Sequence, residues 1–516
     1  MASEIELRFS IPPGDFLRLA RMPRIGGLEA GSPLVQRMST LYYDTPGLRL
    51  AKAGWVLRVR KENGRFIQTA KNEAKNTLGV ERGEYECELD TAIPDVNRIP
   101  DSSARHALFA LVRGKPLTKI LAADIRRTKR SLRSADGVEI EMALDRGKIR
   151  TLAGRGTVLP VCSLELELKS GAQAALFEAA RILAGEAELA IEVESKSQKG
   201  LRAIAGEAGK TSKAGRVELP SGATAEEAFA ASLVHCLRHI SRNMGAVAHG
   251  NNTEGVHQLR VALRRLRVAL SALGKPFRKA ALERLRDEAK GFASALSETR
   301  DLDVFAGELL APVEKALGAL RFRALRSALA SARDKSQRRA AGVARSPGFL
   351  RLPIDLAAAV QLRQWRHGAT AADNAYFSQR ARQIAAVVLA KRLKKTRKGA
   401  RDLSKLDDER RHRLRIAIKK LRYTAEIFAP LFAREKVSPY LSELSKLQDQ
   451  FGALNDVANT EEILAKIAPH ARRRDAKAFA AGRDAVLEWH RARMPHIWSK
   501  AQRRWKRFAK LKPFWE

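Results

Sequence analysis

Cysteine, aromatic rings, acidic residues and long apolar runs are all in short supply in this chain. Its 516 residues include three cysteines, Cys87, Cys162 and Cys236. They are widely separated, with no zinc spacing and no pairing pattern, so no disulfide framework is expected and a reducing, cytoplasmic compartment fits. No run of about 18 uncharged apolar residues occurs, so no membrane-spanning helix is expected. Charges at Glu4, Glu6 and Arg8 stand where a signal peptide would need apolar residues. Aromatics are 6% of the chain. None is interleaved with the basic helical motifs described below, so a stacking platform for single-stranded nucleic acid is missing. Acidic residues number 57 against 96 Lys and Arg, a net charge of +39. That imbalance predicts a polyanionic partner: a nucleic acid, an acidic membrane surface or a phosphate polymer. A membrane partner is not expected, and nucleic acid is the less favoured polyanion.

What is present falls into two organisations, as a length beyond one hydrophobic core requires. Through residue 215 there are 35 basic and 27 acidic residues, a near balance; beyond it there are 61 and 30. Residues 1–203 read mostly as short alternating strands, among them Trp55 to Arg60, Phe66 to Lys71, Glu84 to Leu89, Val138 to Leu144 and Ser163 to Leu168. Asn63-Gly64 and Asp136-Gly137 are hairpin signals between such runs. Helical patterns near Gly14 to Arg21 and Ala172 to Ala184 complete an α+β domain with an antiparallel sheet. Residues 204–223, rich in Gly, Ala, Lys and Ser and ending Leu219-Pro220-Ser221-Gly222, read as a linker. From 224 to 510 the chain is Ala-, Leu- and Arg-rich with helical periodicity, which predicts an all-α bundle.

The chemistry of the first part lies in its strand faces. Glu4-Ile5-Glu6-Leu7-Arg8 and Glu165-Leu166-Glu167-Leu168-Lys169 each set two carboxylates and a cation on one face, with aliphatics on the other. Neighbouring carboxylates repel unless something positive lies between them, and hard divalent cations take oxygen ligands. Metal-assisted phosphate chemistry is therefore the first hypothesis. Arg58 with Arg60, Arg82 with Glu84 and Glu86, and Glu139 with Glu141 share faces in the same way. An ordinary half-buried sheet would turn Leu57, Val59, Ile140, Leu164, Leu166 and Leu168 inward and the charges to water. Both signs of charge on every strand favour the reverse, with charges lining an interior and helices covering the aliphatic side.

Taken together, the opening Glu-x-Glu-x-basic, Leu57-Arg58-x-Arg60, Lys71, Arg82-x-Glu84, Ile140-Glu141, Glu165-x-Glu167 and Ser195-Lys196 resemble the CYTH domain, the triphosphate tunnel metalloenzyme family. The resemblance covers nearly all of residues 1–203. It implies an eight-stranded antiparallel β tunnel with flanking helices that binds a linear triphosphate with Mg2+ or Mn2+ and hydrolyses it. By that resemblance Arg58, Arg60, Arg82, Arg127, Lys129 and Lys196 bind substrate, and Glu4, Glu6, Glu165 and Glu167 hold metal. Glu4, Glu6, Arg8, Lys71, Glu84 and Glu141 are then the catalytic set. Arginine gives phosphate bidentate contacts, and positioning with electrostatics carries phosphoryl transfer without a covalent nucleophile. In one respect the chain departs from the family, whose first motif ends in Lys where Arg8 stands. A planar fork replaces a compact point charge, which keeps the charge and puts turnover in question.

The helical part contains a duplication. His257-x-x-Arg260-x-x-x-Arg264-Arg265-x-Arg267 matches His412-x-x-Arg415-x-x-x-Lys419-Lys420-x-Arg422, 155 residues further on, and Asn455-Asp456 lies the same 155 beyond Arg300-Asp301. At roughly 100° per residue the His and three cations of each copy fall on one helix face. Leu259, Ala262, Leu263 and Leu266, with Leu414, Ala417, Ile418 and Leu421 in the second copy, occupy the other. A basic helix face is usually a solvated one; its repetition with the same His points instead to an anion site. Asn251-Asn252-Thr253 and Asp407-Asp408 are capping-type residues that put each His near a helix N-terminus, where the dipole favours anions. The pattern resembles the CHAD domain, a conserved-histidine α-helical domain. That resemblance implies inorganic polyphosphate bound by His257, Arg260, Arg264, Arg267, His412, Arg415, Lys419 and Arg422.

The expected protein is thus a cytoplasmic metal-dependent inorganic triphosphatase joined to a polyphosphate-binding bundle, associated with polyphosphate granules. Three alternatives stand beside it: a non-catalytic polyphosphate scaffold with a tunnel made inactive by Arg8, a hydrolase of thiamine triphosphate or a nucleotide, and a basic nucleic-acid binder.

Overall fold

Hydrogen bonding between antiparallel neighbours joins twelve strands of the first part into one sheet. They are β1 (Glu4–Ser10), β2 (Arg24–Ile25), β3 (Leu28–Ala30), β4 (Leu34–Asp44), β5 (Trp55–Glu62), β6 (Arg65–Asn72), β7 (Val80–Glu81), β8 (Glu84–Leu89), β9 (Thr118–Arg133), β10 (Glu139–Thr151), β11 (Val158–Ser170) and β12 (Ala190–Ile191). This is a computed structural model that describes residues 4–73, 80–81, 84–220, 222–250 and 252–516. Arg82, Ser221 and Asn251, singled out above, lie outside those residues, and Glu4 is described by its backbone alone.

The strand order is β12-β1-β11-β10-β9-β4-β5-β6-β8. The short β7, directly ahead of β8 in the chain, pairs back onto β1 with Val80 opposite Ile5. That contact closes the ribbon, so the eight long strands β1, β4, β5, β6, β8, β9, β10 and β11 form the expected antiparallel tunnel. Asn63 and Gly64 both take positive φ, as a two-residue hairpin demands. At Gly147 the β9 and β10 backbones approach so closely that an added Cβ would lie 2.0 Å from the Asp124 carbonyl oxygen. No other residue fits there.

Period-2 alternation decides which side of the wall each residue takes. Ile5, Leu7 and Phe9 of β1, Ile140, Met142 and Leu144 of β10, and Leu164 and Leu166 of β11 are all buried on the outer face. Helix Gln173–Glu186 packs over β1 and β11 with Leu176, Phe177, Ala180 and Leu183 buried. Helix Ser102–Val112 covers a second cluster that includes Leu57, Val59, Ala70 and Leu89. Each of the larger side chains contributes roughly 1.5–3 kcal/mol of burial, and all of those named lie outside the tunnel wall.

The chain forms two compact units, Met1–Lys210 with Arg345–Leu362, and Thr211–Ala344 with Arg363–Glu516. The returning segment carries helix Pro347–Gln361, which packs on helix Gln173–Glu186, with Asp355 2.5 Å from Arg181. The second unit is helical. Its helices Thr253–Ala272 and Asp408–Phe428 carry the two copies of the repeat and pack against each other. Asn252 and Asp407 cap them, accepting from the Gly255 and Arg410 amides. Leu259, Ala262, Leu263, Leu266, Leu414, Ile418 and Leu421 are buried as the helical period predicts. No helix among the described residues is long and apolar enough to cross a membrane.

Candidate active site and anion cavity

The inner face of the tunnel encloses a cavity of about 1100 Å3. Twelve of the residues expected there line it: Glu6, Arg8, Arg58, Arg60, Lys71, Glu84, Arg127, Lys129, Glu141, Glu165, Glu167 and Lys196. They come from β1, β5, β6, β8, β9, β10, β11 and the first turn of helix Lys196–Ile204. Register sets the juxtapositions: across β1 and β11, Glu6 stands opposite Glu167 and Arg8 opposite Glu165. Arg8 lies 3.6 Å from Glu6 and keeps a positive charge at the end of the first motif.

Most of the cations here already hold a carboxylate. Arg58 donates to Glu84 at 3.1 Å and Lys71 to the same carboxylate at 3.3 Å. Lys129 pairs with Glu141 at 3.0 Å. Arg127 grips Asp145 through two bonds of 2.7 Å and also donates to Glu165. Lys196 completes the square, 2.5 Å from Glu165 and 2.8 Å from Asp145. Burial alone would raise the Glu165 pKa, but Lys196 and Arg127 hold it well below the usual carboxylate range. Burial likewise opposes the charge on Lys196, while Glu165 and Asp145 raise its pKa. Burial and then Arg58 push Arg60 down, leaving it the most weakly compensated arginine of the wall.

The donor set suits a hard divalent cation. Burial first, and then repulsion from Glu165, raise the pKa of Glu6, a strain that an oxygen-seeking cation between carboxylates would relieve. Among the described residues no three ligating side chains already converge on one point. Glu6 and Glu167 are the described pair that could hold a metal, joined by Glu165 once it leaves Arg127 and Lys196.

Asp145 is the residue that the strand patterns passed over. It is fully buried at the centre of the square and stands opposite Arg127 in register. Following Glu139 and Glu141 two steps further along the same face would have reached it. Glu73, two beyond Lys71, also lines the cavity and accepts from Ser197 at 3.0 Å.

The helical unit has its own cavity, of about 1360 Å3. His257, Arg260, Arg264, Arg415, Lys419 and Arg422 line it; Arg267 and His412 do not. His412 instead hydrogen-bonds Asn455 at 2.7 Å on an exposed surface. Arg422 is tied to Glu426 at 2.8 Å, and Arg265 reaches that same carboxylate at 2.8 Å. The Nε atoms of Arg260, Arg264 and Arg415 are buried without a hydrogen-bond partner. Burial, then Arg415 and Arg264, press Lys419 down to about 7. Burial, then Arg300, lower His257 to about 4. Asp301 and Asp456, equivalent residues of the two copies, face the same cluster, and burial raises both. Excess positive charge held out of water in this way favours an anion beside it.

Residues 2–201 match the model of the CYTH domain and residues 231–465 that of the CHAD domain. The inorganic triphosphatase of Haemophilus influenzae is 29% identical over 204 residues, which is 39% of this chain and 54% of that protein. The chain thus spans about half the length of this curated relative. Among solved structures, the CHAD domain from the plant Ricinus communis shares 28% identity at a TM-score of 0.47, covering 56% of this chain and 96% of that one. HpAC1 from Hippeastrum, described as having a dominant triphosphatase activity, shares 17% at a TM-score of 0.25, over 40% of this chain and 96% of that one.

Proposed function

From the premise that this chain joins a CYTH domain to a CHAD domain, we propose that it is a metal-dependent hydrolase of inorganic triphosphate whose helical unit binds inorganic polyphosphate. One observation carries the reading: charges of both signs point into the tunnel, while Leu57, Val59, Ile140, Leu164 and Leu166 pack outside it and only a few apolar side chains such as Met38 and Ile125 face the charges. A single-sign lining would only bind. A mixed lining takes a polyanion and a cation together.

The ion pairs of the tunnel wall act as placeholders. Phosphate oxygens compete with Glu84 for Arg58 and Lys71, and with Glu165 for Arg127 and Lys196. Each charge-assisted hydrogen bond so exchanged is worth roughly 1.5–3 kcal/mol, so little net work is needed to swap one anion for another. Substrate thereby frees Glu165 beside Glu6 and Glu167. Glu6, Glu165 and Glu167 would hold Mg2+ or Mn2+, which would offset the phosphate charge and make the attacking water more acidic. Arg58, Arg60, Arg127 and Lys129 orient the chain and offset negative charge as the terminal phosphoryl group departs. Glu84 and Glu141, on the same inner face, are placed to take the proton of the attacking water. The enclosed wall keeps bulk water from screening these charges.

The test is phosphate release from tripolyphosphate with Mg2+, comparing the intact chain with Glu4→Ala and Glu167→Ala. Loss of release by at least a hundredfold in both is expected; unchanged rates in both would remove the site. Arg8 favours a second reading, a polyphosphate-granule scaffold with an inactive tunnel, because a fixed fork stands where the family has Lys. Silence of the intact chain with activity restored by Arg8→Lys would establish it. We infer a cytoplasmic place at polyphosphate granules as part of the same proposal. The panel of substrates also includes thiamine triphosphate and nucleotides, and competition of long polyphosphate against DNA at fixed salt separates the two polyanions.

A further inference from the structure

The segment that follows the tunnel domain has no regular secondary structure, yet it is fastened along its length. Asn243, fully buried on helix Ala225–Ala248, grips the backbone of Ser212 from both sides. Its Oδ1 accepts from the Ser212 amide at 3.0 Å and its Nδ2 donates to the Ser212 carbonyl at 3.0 Å. His239, also buried, brings Nε2 to 3.1 Å from the same carbonyl and to 3.1 Å from Gln258 Oε1. Gln258 is the neighbour of His257 on the first repeat helix, so the strap and the basic face are tied to one element. Five residues on, the Val217 side chain is buried and pins the strap a second time. Between the two pins lie Lys213 and Arg216, both exposed, and residues 213–219 line the same cavity as His257, Arg260, Arg264, Arg415 and Lys419. Two buried polar side chains spent on holding one backbone residue make this a built wall, since an unfastened linker would leave Asn243 and His239 without those partners.

We propose that residues 212–219 are a strap forming one wall of the helical anion cavity, and that Lys213 and Arg216 contact the phosphate polymer bound there. The proposal rests on the reading that this cavity takes inorganic polyphosphate. The basic faces of the two repeat helices supply one side of a slot, and the strap supplies another with two more cations. Because Lys213 and Arg216 sit on a backbone fixed at Ser212 and Val217, little loop ordering remains to oppose binding. Asn243 and His239 touch no phosphate themselves; they are positioning residues.

The experiment measures binding of long-chain inorganic polyphosphate to the full chain at several salt concentrations. Lys213→Ala with Arg216→Ala should weaken binding on the order of tenfold and reduce the slope of log K against log salt by about 1.4, as two lost phosphate contacts require. A control of equal charge, Lys315→Ala with Lys335→Ala, removes two exposed cations of the same unit that are away from the cavity. Its slope should stay within experimental error. Asn243→Ala should lose the same increment, and adding it to the strap pair should cost nothing further. Equal slopes for the strap pair and the control would overturn the proposal while leaving the cavity reading intact. Absence of polyphosphate binding by the unaltered chain would overturn both. The strap pair replaces exposed side chains, so its result stands even if Asn243→Ala does not fold.

Discussion

The tunnel and the helical cavity both gather cations, but they treat them in opposite ways. Inside the tunnel Arg58, Lys71, Arg127, Lys129 and Lys196 each hold a carboxylate. In the helical cavity Arg264, Arg415 and Lys419 hold none among the described residues. Paired charge is stable by itself and can exchange partners, which suits the proposed binding of metal and phosphate together. Unpaired charge waits for an anion and gains most when one arrives, which suits retention of a polymer. The difference has measurable signs.

The largest effect belongs to Asp145. Removing it by Asp145→Ala leaves Arg127 and Lys196 facing each other with Glu165 alone between them. Breaking a buried pair in this way costs about 3–5 kcal/mol. Denaturant midpoints should fall accordingly, and phosphate release should vanish with them. The matched change in the other cavity, Lys419→Met, should move stability upward by about 1 kcal/mol, because it relieves repulsion among Arg415, Arg264 and Arg260. Its polyphosphate affinity should drop. If both substitutions destabilise equally, the contrast between the two sites is wrong.

Lys419 also sets a pH dependence. Its folded pKa, pushed down to about 7 by burial and its arginine neighbours, lies below the ordinary 10.5. Between those values the unfolded chain binds the proton more tightly, so Lys419 makes stability rise with pH across that window. Binding has the opposite sense. A polyanion favours the charged lysine, so polyphosphate affinity should fall as pH climbs above about 7, by at most tenfold per unit for this one group. Lys419→Arg should flatten the profile. A flat profile in the unaltered chain would show that Lys419 does not meet the polymer.

Much of this contrast was visible in the residues, and the failures are instructive. Alternation gave the inner faces of β1, β5 and β11 because charged and aliphatic residues alternate through the motif of each. It missed β4 and the full span of β9, where Ala122-Ala123 and paired arginines blur the period, and stopped one residue short of Asp145. The repeat located both basic helices but not their inequality. Arg422 is neutralised by Glu426, whose counterpart 155 residues earlier is Ser271, so Arg267 has no such partner in the first copy. Periodicity also reports which face of a helix is apolar and is silent on what covers it. Nothing in Pro347–Gln361 signals that it completes the first unit by packing on Gln173–Glu186.

The smallest effect tests that returning helix. Arg181 and Asp355 have side chains 28% and 16% exposed, and Glu178 shares the guanidinium at 3.2 Å. An Arg–Asp pair of the same chemistry as Arg127–Asp145 is here partly in water, so its Coulomb energy is screened and its desolvation cost is small. Asp355→Asn should therefore cost only about 0.5–1 kcal/mol in a denaturant melt, and the loss should shrink in high salt. The Asp145 effect should hardly change under the same salt. If Asp355→Asn instead unfolds the first unit at a cost near that of Asp145→Ala, the exchange of partners in the tunnel loses its footing, because depth of burial would no longer explain which ion pairs are dear and which are cheap.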